Sequence, residues 1–131
     1  MNEKLLSRGK RKDNGEWITG YYVKIPNKAN KLNKECHIIF DLDGRIGCII
    51  PETLGSCTGR IDKNGKKIFE GDIVDYNGTK HEVIFETRFS AYFGIKISHI
   101  ETWQFCLEVP AKLMEVVGNI HDNPELIGGT E

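Results

Sequence analysis

The sequence predicts a mainly β fold, either a barrel or a sandwich. Short runs rich in aromatic and β-branched residues recur at a spacing of roughly 8–12 residues, with glycine-rich turns between them. We find no internal repeat and no long pattern of helical period, which leaves strands as the main elements. The chain has 131 residues, and we expect an N-terminal β subdomain over residues 1–54 and a second part over residues 55–131.

The N-terminal segment predicts a β hairpin between Leu5 and Ile25. Its turn lies at Asp13-Asn14-Gly15, a combination that favours chain reversal. The run from Trp17 to Val23 is aromatic and β-branched, as is typical of strands. Pro26 ends this strand, and the Asn/Lys-rich residues 27–34 predict a mobile loop.

A second hairpin is predicted over residues 36–50. We expect the Asp-Gly pair at positions 43–44 to form a two-residue loop. That loop aligns Ile38 with Ile49 and Ile39 with Cys48. Both faces of the hairpin would then be apolar, so we expect it to be covered on both sides. The connector over residues 51–55 follows, and it is a possible border between the two parts.

The stretch from Ser56 to Gly78 contains two turn signals. Residues 62–65, Asp-Lys-Asn-Gly, suit a type I turn closed by a glycine of positive φ. Asn77-Gly78 predicts a two-residue type I′ hairpin, because that turn needs positive φ at both central residues. In this register Asp75 faces Lys80, a cross-strand pair worth about 0.2–1 kcal/mol.

The rest of the chain continues the β pattern. We expect the hairpin strand to extend through residues 82–86 and further strands at residues 91–97, 103–109 and 115–120, with Gly94 at a bulge or bend. Asn123-Pro124 suits the start of a helix that has room for one turn at most.

Composition excludes some classes of protein. A formal net charge of −1 gives no general attraction to nucleic acid, although it permits a local basic patch. No apolar run approaches the roughly 20 residues that a membrane helix needs, and the N-terminus lacks the apolar core of a signal peptide. We therefore expect a cytoplasmic protein without a membrane partner.

The four cysteines, Cys36, Cys48, Cys57 and Cys106, show no paired metal-ligand spacing. We expect them to be buried as small apolar residues, without a disulfide and without zinc. Zinc binding and a redox role remain as alternatives. No cofactor is expected.

Four blocks of the sequence resemble the YopX proteins of phages and prophages. In order along the chain they are RGKRKDNGEW (8–17), PETLGSCTG (51–59), DKNGKKIFEGDIV (62–74) and EVVGNIHDNPEL (115–126). The resemblance implies a β-rich protein with a small SH3-like barrel in its C-terminal half, from a phage or prophage. It implies no activity and no catalytic residues. The loop at residues 27–34 and the cysteines depart from the family pattern.

An acidic group is the first candidate for chemistry. Glu70, Asp72 and Asp75 lie close together, with Asp62 upstream and His81 across the hairpin. Converging oxygen ligands with a histidine would suit a metal ion. Alternation along a strand, however, places Asp75 on the other face from Asp72, and solvated carboxylates are the commoner case. We predict no metal site.

A basic and aromatic group is the second candidate. The residues are Arg8, Lys10, Arg11, Lys12, Trp17 and Tyr21, with Tyr22 alongside. Nucleic-acid binding needs cations for phosphates and flat rings for bases, and small barrels can supply both. The competing interpretation is that the charges are solvated beside a turn and the rings belong to the core or to an interface.

No nucleophile motif, phosphate-binding loop or dinucleotide fingerprint is present, so no catalytic residue is predicted. The leading interpretation is a non-catalytic phage accessory protein that binds another protein. Nucleic-acid binding is the second interpretation, and an enzyme is the third. Because many large aromatic residues, Phe89 and Phe105 among them, stand near strand ends and turns and should remain at the surface, we also expect a homo-oligomer.

Overall fold

Strands dominate the described part of the chain, which in this computed structural model comprises residues 6–25, 36–87, 90–98, 100–105 and 109–127. Its eleven strands are β1 (Ser7–Lys10), β2 (Trp17–Ile25), β3 (Cys36–Asp41), β4 (Ile46–Cys48), β5 (Gly55–Ile61), β6 (Lys67–Phe69), β7 (Asp72–Tyr76), β8 (Thr79–Glu86), β9 (Tyr92–Ser98), β10 (Glu101–Gln104) and β11 (Glu115–Asn119). Single turns of 3₁₀ helix occur at Pro51–Thr53, Ala111–Leu113 and Pro124–Ile127, and the described residues contain no α-helix. The predicted mainly β class is confirmed.

The chain divides into two compact units, residues 1–57 and residues 58–131. Strand β5 begins in the first unit and ends in the second. The loop predicted over residues 27–34 lies outside the described residues, as do Phe89 and Cys106.

The first unit is an antiparallel sheet with strand order β4-β3-β2-β1 and the start of β5 beside β1. The β1–β2 hairpin is confirmed, with Lys10 opposite Trp17 and a φ of 74° at Gly15 in its turn. Its core is formed by Ile18, Ile39 and Ile49, with Tyr22 and Leu54 packed against them.

The end of β1 also contacts the chain just after β4. The Lys12 N–H donates to the Cys48 carbonyl at 2.9 Å, and the Ile50 N–H donates to the Lys10 carbonyl at 2.8 Å. Arg11 and Ile49 form an isolated bridge between these two bonds. Lys10 and Arg11 are therefore held on both sides, by residues 16–17 and by residues 49–50.

The predicted register of the β3–β4 hairpin is wrong by one residue. Ile38 pairs with Cys48 and Ile39 pairs with Gly47. The loop has three residues, not two, because Asp41 and Arg45 close it and Gly44 takes a φ of 87°. The Asp41 carboxylate accepts from the backbone N–H groups of residues 43 and 45 and from the Arg45 guanidinium.

The one-residue difference in register determines which side chains share a face, because neighbouring strand residues point to opposite sides of a sheet. Ile39 and Ile49 share the buried face. Phe40 and Ile46 share the other, where they are 39% and 54% exposed. The expectation that this hairpin is covered on both sides is therefore wrong.

In the second unit, both predicted turns are confirmed. Asn77 and Gly78 have φ values of 54° and 86°, and Asp75 lies opposite Lys80 with 3.9 Å between carboxylate and ammonium. At the other turn, the Gly65 N–H donates to the Asp62 carbonyl at 3.0 Å, and Gly65 has a φ of 82°.

The main sheet of the second unit has strand order β10-β9-β8-β7-β11. Strand β8 is shared, since its first half pairs with β7 and its second half pairs with β9. The core cluster comprises Ile68, Val74, Val83, Ile95, Phe105, Val109, Ala111 and Met114. Gly94 lies so close to β10 that a Cβ there would be 2.3 Å from the Trp103 carbonyl oxygen.

Of the strand predicted over residues 103–109, only the start is found, and residues 106–108 lie outside the described residues. The strands predicted near residues 91–97 and 115–120 are found. Strand β10 ends at Gln104. Phe105 and Val109 form an isolated bridge with each other. Phe105 is 4% exposed and belongs to the core, so it is not among the aromatic residues left at the surface.

Candidate interaction face

One side of the first unit's sheet forms a continuous surface, which we call the outer face. The register places ten side chains on it, because directly opposed residues and alternate residues along a strand share a side. They are Arg8, Lys10, Trp17, Thr19, Tyr21, Val23, Ile38, Phe40, Ile46 and Cys48. None of these ten residues is acidic, and all of them are half-buried or exposed.

The outer face is apolar at the β3–β4 end. Val23 is 42% exposed, and Phe40 and Ile46 are also well exposed. Tyr21 is directly opposite Phe40 and lies between them and the basic end of the face. A cluster of large apolar side chains on one side of a small sheet is the kind of surface that marks an interaction site.

The β1 end of the outer face combines cations with an aromatic ring. The Arg8 guanidinium carbon is 4.7 Å from the centroid of the Trp17 ring, and the Lys10 ammonium is 5.6 Å from it. Both distances fall within cation–π range, so the ring orders the two side chains. This end of the face therefore presents positive charge beside an aromatic surface.

The two remaining basic residues of the predicted group lie elsewhere. Arg11 is on the opposite side of β1 from Lys10, and its guanidinium makes two hydrogen bonds of 3.0 Å to the Asp13 carboxylate. The hydrogen bonds and the charge pairing raise the pKa of Arg11 and lower the pKa of Asp13. Lys12 is exposed in the β1–β2 turn. Only Arg8, Lys10, Trp17 and Tyr21 of the predicted six come together.

Tyr22 lies on the side of the sheet opposite Tyr21. Its hydroxyl is 2.6 Å from Nδ1 of His37, and the two rings stack with centroids 5.9 Å apart. Tyr22 also packs against the core cluster. These contacts give it a structural role.

Sequence reasoning missed Phe40, Ile46 and Val23 as members of the face. For Phe40 and Ile46 the cause was the one-residue error in register, which places them on opposite sides of the hairpin. Val23 follows from alternation along β2 from Trp17 and Tyr21, and this alternation was not used. The signal that could have corrected it is Asp41. An aspartate that precedes a loop ending in Gly-Arg can cap that loop through its side chain and lengthen it.

The acidic residues do not form a joint site. The Asp62 carboxylate accepts from the N–H groups of Asn64, Lys66 and Val116, each at 2.9 Å. Burial alone would raise the pKa of Asp62, but these hydrogen bonds outweigh burial and lower it. The buried Asp72 accepts from the Phe69 N–H at 2.8 Å. In the part of the chain that the structure describes, no three His, Cys, Asp or Glu side chains converge on a metal position.

The cysteines are split between environments. Cys57 is fully buried, whereas Cys48 is exposed on the outer face and Cys36 is half-buried, and all three are free thiols. The expectation of burial is confirmed for Cys57 and wrong for Cys48.

Comparison with protein families identifies the chain. A family model described as YopX protein matches residues 7–128. The chain belongs to the YopX family. The YopX match includes all ten residues of the outer face and most of both units, so the resemblance drawn from the four sequence blocks is confirmed. Comparison with curated proteins finds no match. Within the described residues, no helix is long and apolar enough to cross a membrane.

Proposed function

We propose that this YopX protein is a non-catalytic module that binds another protein through the outer face. The observation that carries the proposal is the exposure of Val23, Phe40 and Ile46 on one side of the sheet, at 42%, 39% and 54%. Protein interfaces concentrate aromatic and aliphatic side chains at their centres and exclude acidic ones. The outer face has that composition.

The basic end of the face adds selectivity. Arg, Trp and Tyr are the residues that most often dominate binding energy at protein interfaces. Arg8 contacts Trp17 here, and Tyr21 lies on the same face. Because two cations lie at one end and no acid lies anywhere on the face, a partner with acidic residues beside an apolar patch would be favoured.

The test is affinity capture from cells in which the phage is replicating or the prophage is induced. Wild-type protein should retain a partner that Phe40→Asp does not, because the carboxylate would be buried without compensation. Ile100→Asp is the matched control. Ile100 is a 70% exposed apolar residue of the second unit, and its variant should capture like wild type. A partner retained equally by all three proteins would place the binding site elsewhere.

Nucleic-acid binding is the second candidate function, and the cation–aromatic group at Trp17 favours it. Because Arg11 is held by Asp13, phosphates would be bound by Arg8 and Lys10 with Lys12 close by. In titrations with a labelled single strand, Lys10→Gln should reduce the salt slope by about 0.7, whereas Arg11→Gln should leave it unchanged. Equal effects of both variants would contradict this geometry.

A homo-oligomer remains a proposal, with a second copy covering the outer face. A stable interface buries more than about 1,000 Å² in total, which ten residues and their neighbours could supply from two copies. Light scattering across a tenfold dilution tests it. A constant mass at the 14.9 kDa of one chain would contradict it.

We also propose that the C-terminal part, residues 55–131, is a small SH3-like barrel. Support comes from β8, which pairs with β7 through its first half and with β9 through its second, because a strand shared in this way lets a sheet curl toward closure. The likeness to YopX proteins of phages and prophages supports an accessory role in the cytoplasm of a cell that carries the phage.

A further inference from the structure

We propose that the second unit contains a separate binding pocket for a carboxylate that adjoins one large apolar side chain, as found in an acidic peptide. The pocket is lined by Gly59, Arg60, Ile61, Pro110, Ala111 and Lys112 and has a volume of about 230 Å³. All six residues belong to the second unit, so this site is distinct from the outer face.

The pocket has an apolar lining and a positive rim. Its lining is mainly apolar, and Ile61 within it is 40% exposed. Arg60 and Lys112 are both exposed at its edge. Among the described residues, neither of these two cations has an ion pair or a side-chain hydrogen bond. By contrast, Lys63 is paired with Glu115 at 3.7 Å and Lys80 with Asp75 at 3.9 Å.

The walls of the pocket are fixed from both sides. On the strand wall, the Thr58 hydroxyl donates to the Ile68 carbonyl at 2.8 Å and accepts from the Arg60 N–H at 3.1 Å. On the turn wall, Ala111 is anchored in the core cluster, and the Met114 N–H donates to its carbonyl at 3.0 Å.

Two further hydrogen bonds join the segments that follow these walls in the chain. The Lys63 N–H donates to the Met114 carbonyl, and the Val116 N–H donates to the Asp62 carboxylate, both at 2.9 Å. The backbone on both sides of the pocket is therefore held in place before a ligand arrives, which lowers the entropy cost of binding.

The size and charge of the pocket define the ligand. An apolar cavity of about 150 Å³ is enough to hold benzene, so this pocket can accept one leucine-sized or phenyl-sized group. The two cations at its rim, which have no acidic partner in the part of the chain that the structure describes, would attract an anion. A guanidinium binds carboxylates with particular geometric fit. A carboxylate beside an apolar side chain satisfies both requirements at once.

The test uses N-acetylleucine and its neutral amide as probes of the full-length, ¹⁵N-labelled protein. N-acetylleucine should shift the amide signals of Gly59, Arg60, Ile61 and Lys112 in a saturable way. The neutral amide should bind at least about threefold more weakly, because it lacks the charge that the two cations attract. The absence of shifts at these residues, or equal binding of the two probes, would overturn the proposal.

Variants then show which side chains bind the carboxylate of the probe. Arg60→Gln combined with Lys112→Gln should bring the affinity for N-acetylleucine down to that for the amide, and Lys80→Gln should leave it unchanged. Equal loss in the double variant and in Lys80→Gln would also overturn the proposal.

A peptide amide with aspartate before leucine, compared with a peptide that ends in leucine, shows whether a side-chain or a terminal carboxylate fits better. Phe40→Asp should retain probe binding, which separates this site from the outer face.

Discussion

Asp62 shows how much of the second unit depends on one carboxylate. Its two oxygens accept three backbone hydrogen bonds, and one of these comes from Val116, which is 54 positions away in the sequence. The side chain therefore closes a local turn and attaches it to β11. Only 3% of Asp62 is exposed.

Asp62→Ala should lower the free energy of unfolding by roughly 2–4 kcal/mol at neutral pH, because three backbone N–H groups lose their acceptor. The pKa of Asp62 is lowered by folding, so its contribution is present above the unfolded pKa of about 3.9 and is lost as the pH falls through the lower folded pKa. Urea titrations from pH 7 down to pH 3 should show that the difference in the free energy of unfolding between variant and wild type decreases. Asp43→Ala, at the exposed tip of the β3–β4 loop, is the control and should change little.

The contribution of Glu82 to stability should depend on pH in the opposite direction to that of Asp62. Burial raises the pKa of Glu82, nearby Lys96 lowers it, and Glu70 raises it further. A raised folded pKa means that stability is fully present below the unfolded pKa and is lost as the pH rises through the folded value. Glu82→Gln should therefore be more stable than wild type at pH 7, and the gain should vanish below pH 4 in the same titrations. A variant that is less stable at pH 7 would contradict this assignment.

Gly78→Val should destabilise the protein by roughly 1–2 kcal/mol. Gly78 has a φ of 86°, and the space around its Cβ position is open, so only backbone strain is at work. Asn77→Gly is the control, since glycine adopts the 54° φ of that position without strain. Thermal melts of both variants give the comparison. An unchanged melting temperature for Gly78→Val would contradict the prediction.

The hairpins differ in how well the sequence determines them. The β7–β8 register was predictable because Asn77-Gly78 allows one tight turn, and both residues adopt the φ values that it requires. The β3–β4 register was not, because the side chain of Asp41 stabilises a three-residue loop that backbone propensities do not reveal. Two of the ten residues of the outer face, Ile46 and Cys48, are placed by that register. The sequence therefore indicated Arg8, Lys10, Trp17 and Tyr21, and the structure adds Phe40 and Ile46.

The spacing of β2 and β3 is set by Gly20. A Cβ at this position would be 1.9 Å from the Phe40 carbonyl oxygen, so the two backbones can pair only if position 20 is a glycine. Gly20→Ala should push the strands apart and destabilise the protein by about 1–3 kcal/mol, measured by urea unfolding. Thr19→Ala, on the other side of the same strand, is the control. If Gly20→Ala is no more harmful than this control, the close approach of the strands is wrong.

At the scale of the whole molecule, each unit has its own core cluster, one around Ile18, Ile39 and Ile49 and one around Ile68 and Val83. The second cluster is the larger. Separate cores permit separate folding if each buries enough apolar surface.

We expect a fragment of residues 55–131 to fold on its own, with a cooperative thermal transition and the amide signals of β7 and β8 at their full-length positions. The matched fragment of residues 1–54 has the smaller core and should be the less stable of the two. A 55–131 fragment without a cooperative transition would contradict the proposal that this part is an independent barrel.

Cys48 makes occupation of the outer face measurable through the rate of thiol alkylation. Its thiol is exposed opposite Ile38, whereas Cys57 is fully buried. A maleimide should therefore alkylate Cys48 rapidly and alkylate Cys57 only when the protein opens. A partner that binds to the outer face should slow the alkylation of Cys48 and leave the rate at Cys57 unchanged. The rates of alkylation at Cys48 and at Cys57, followed separately from those of the other two cysteines by mass spectrometry of peptides, can then separate occupation of this surface from a general gain in stability.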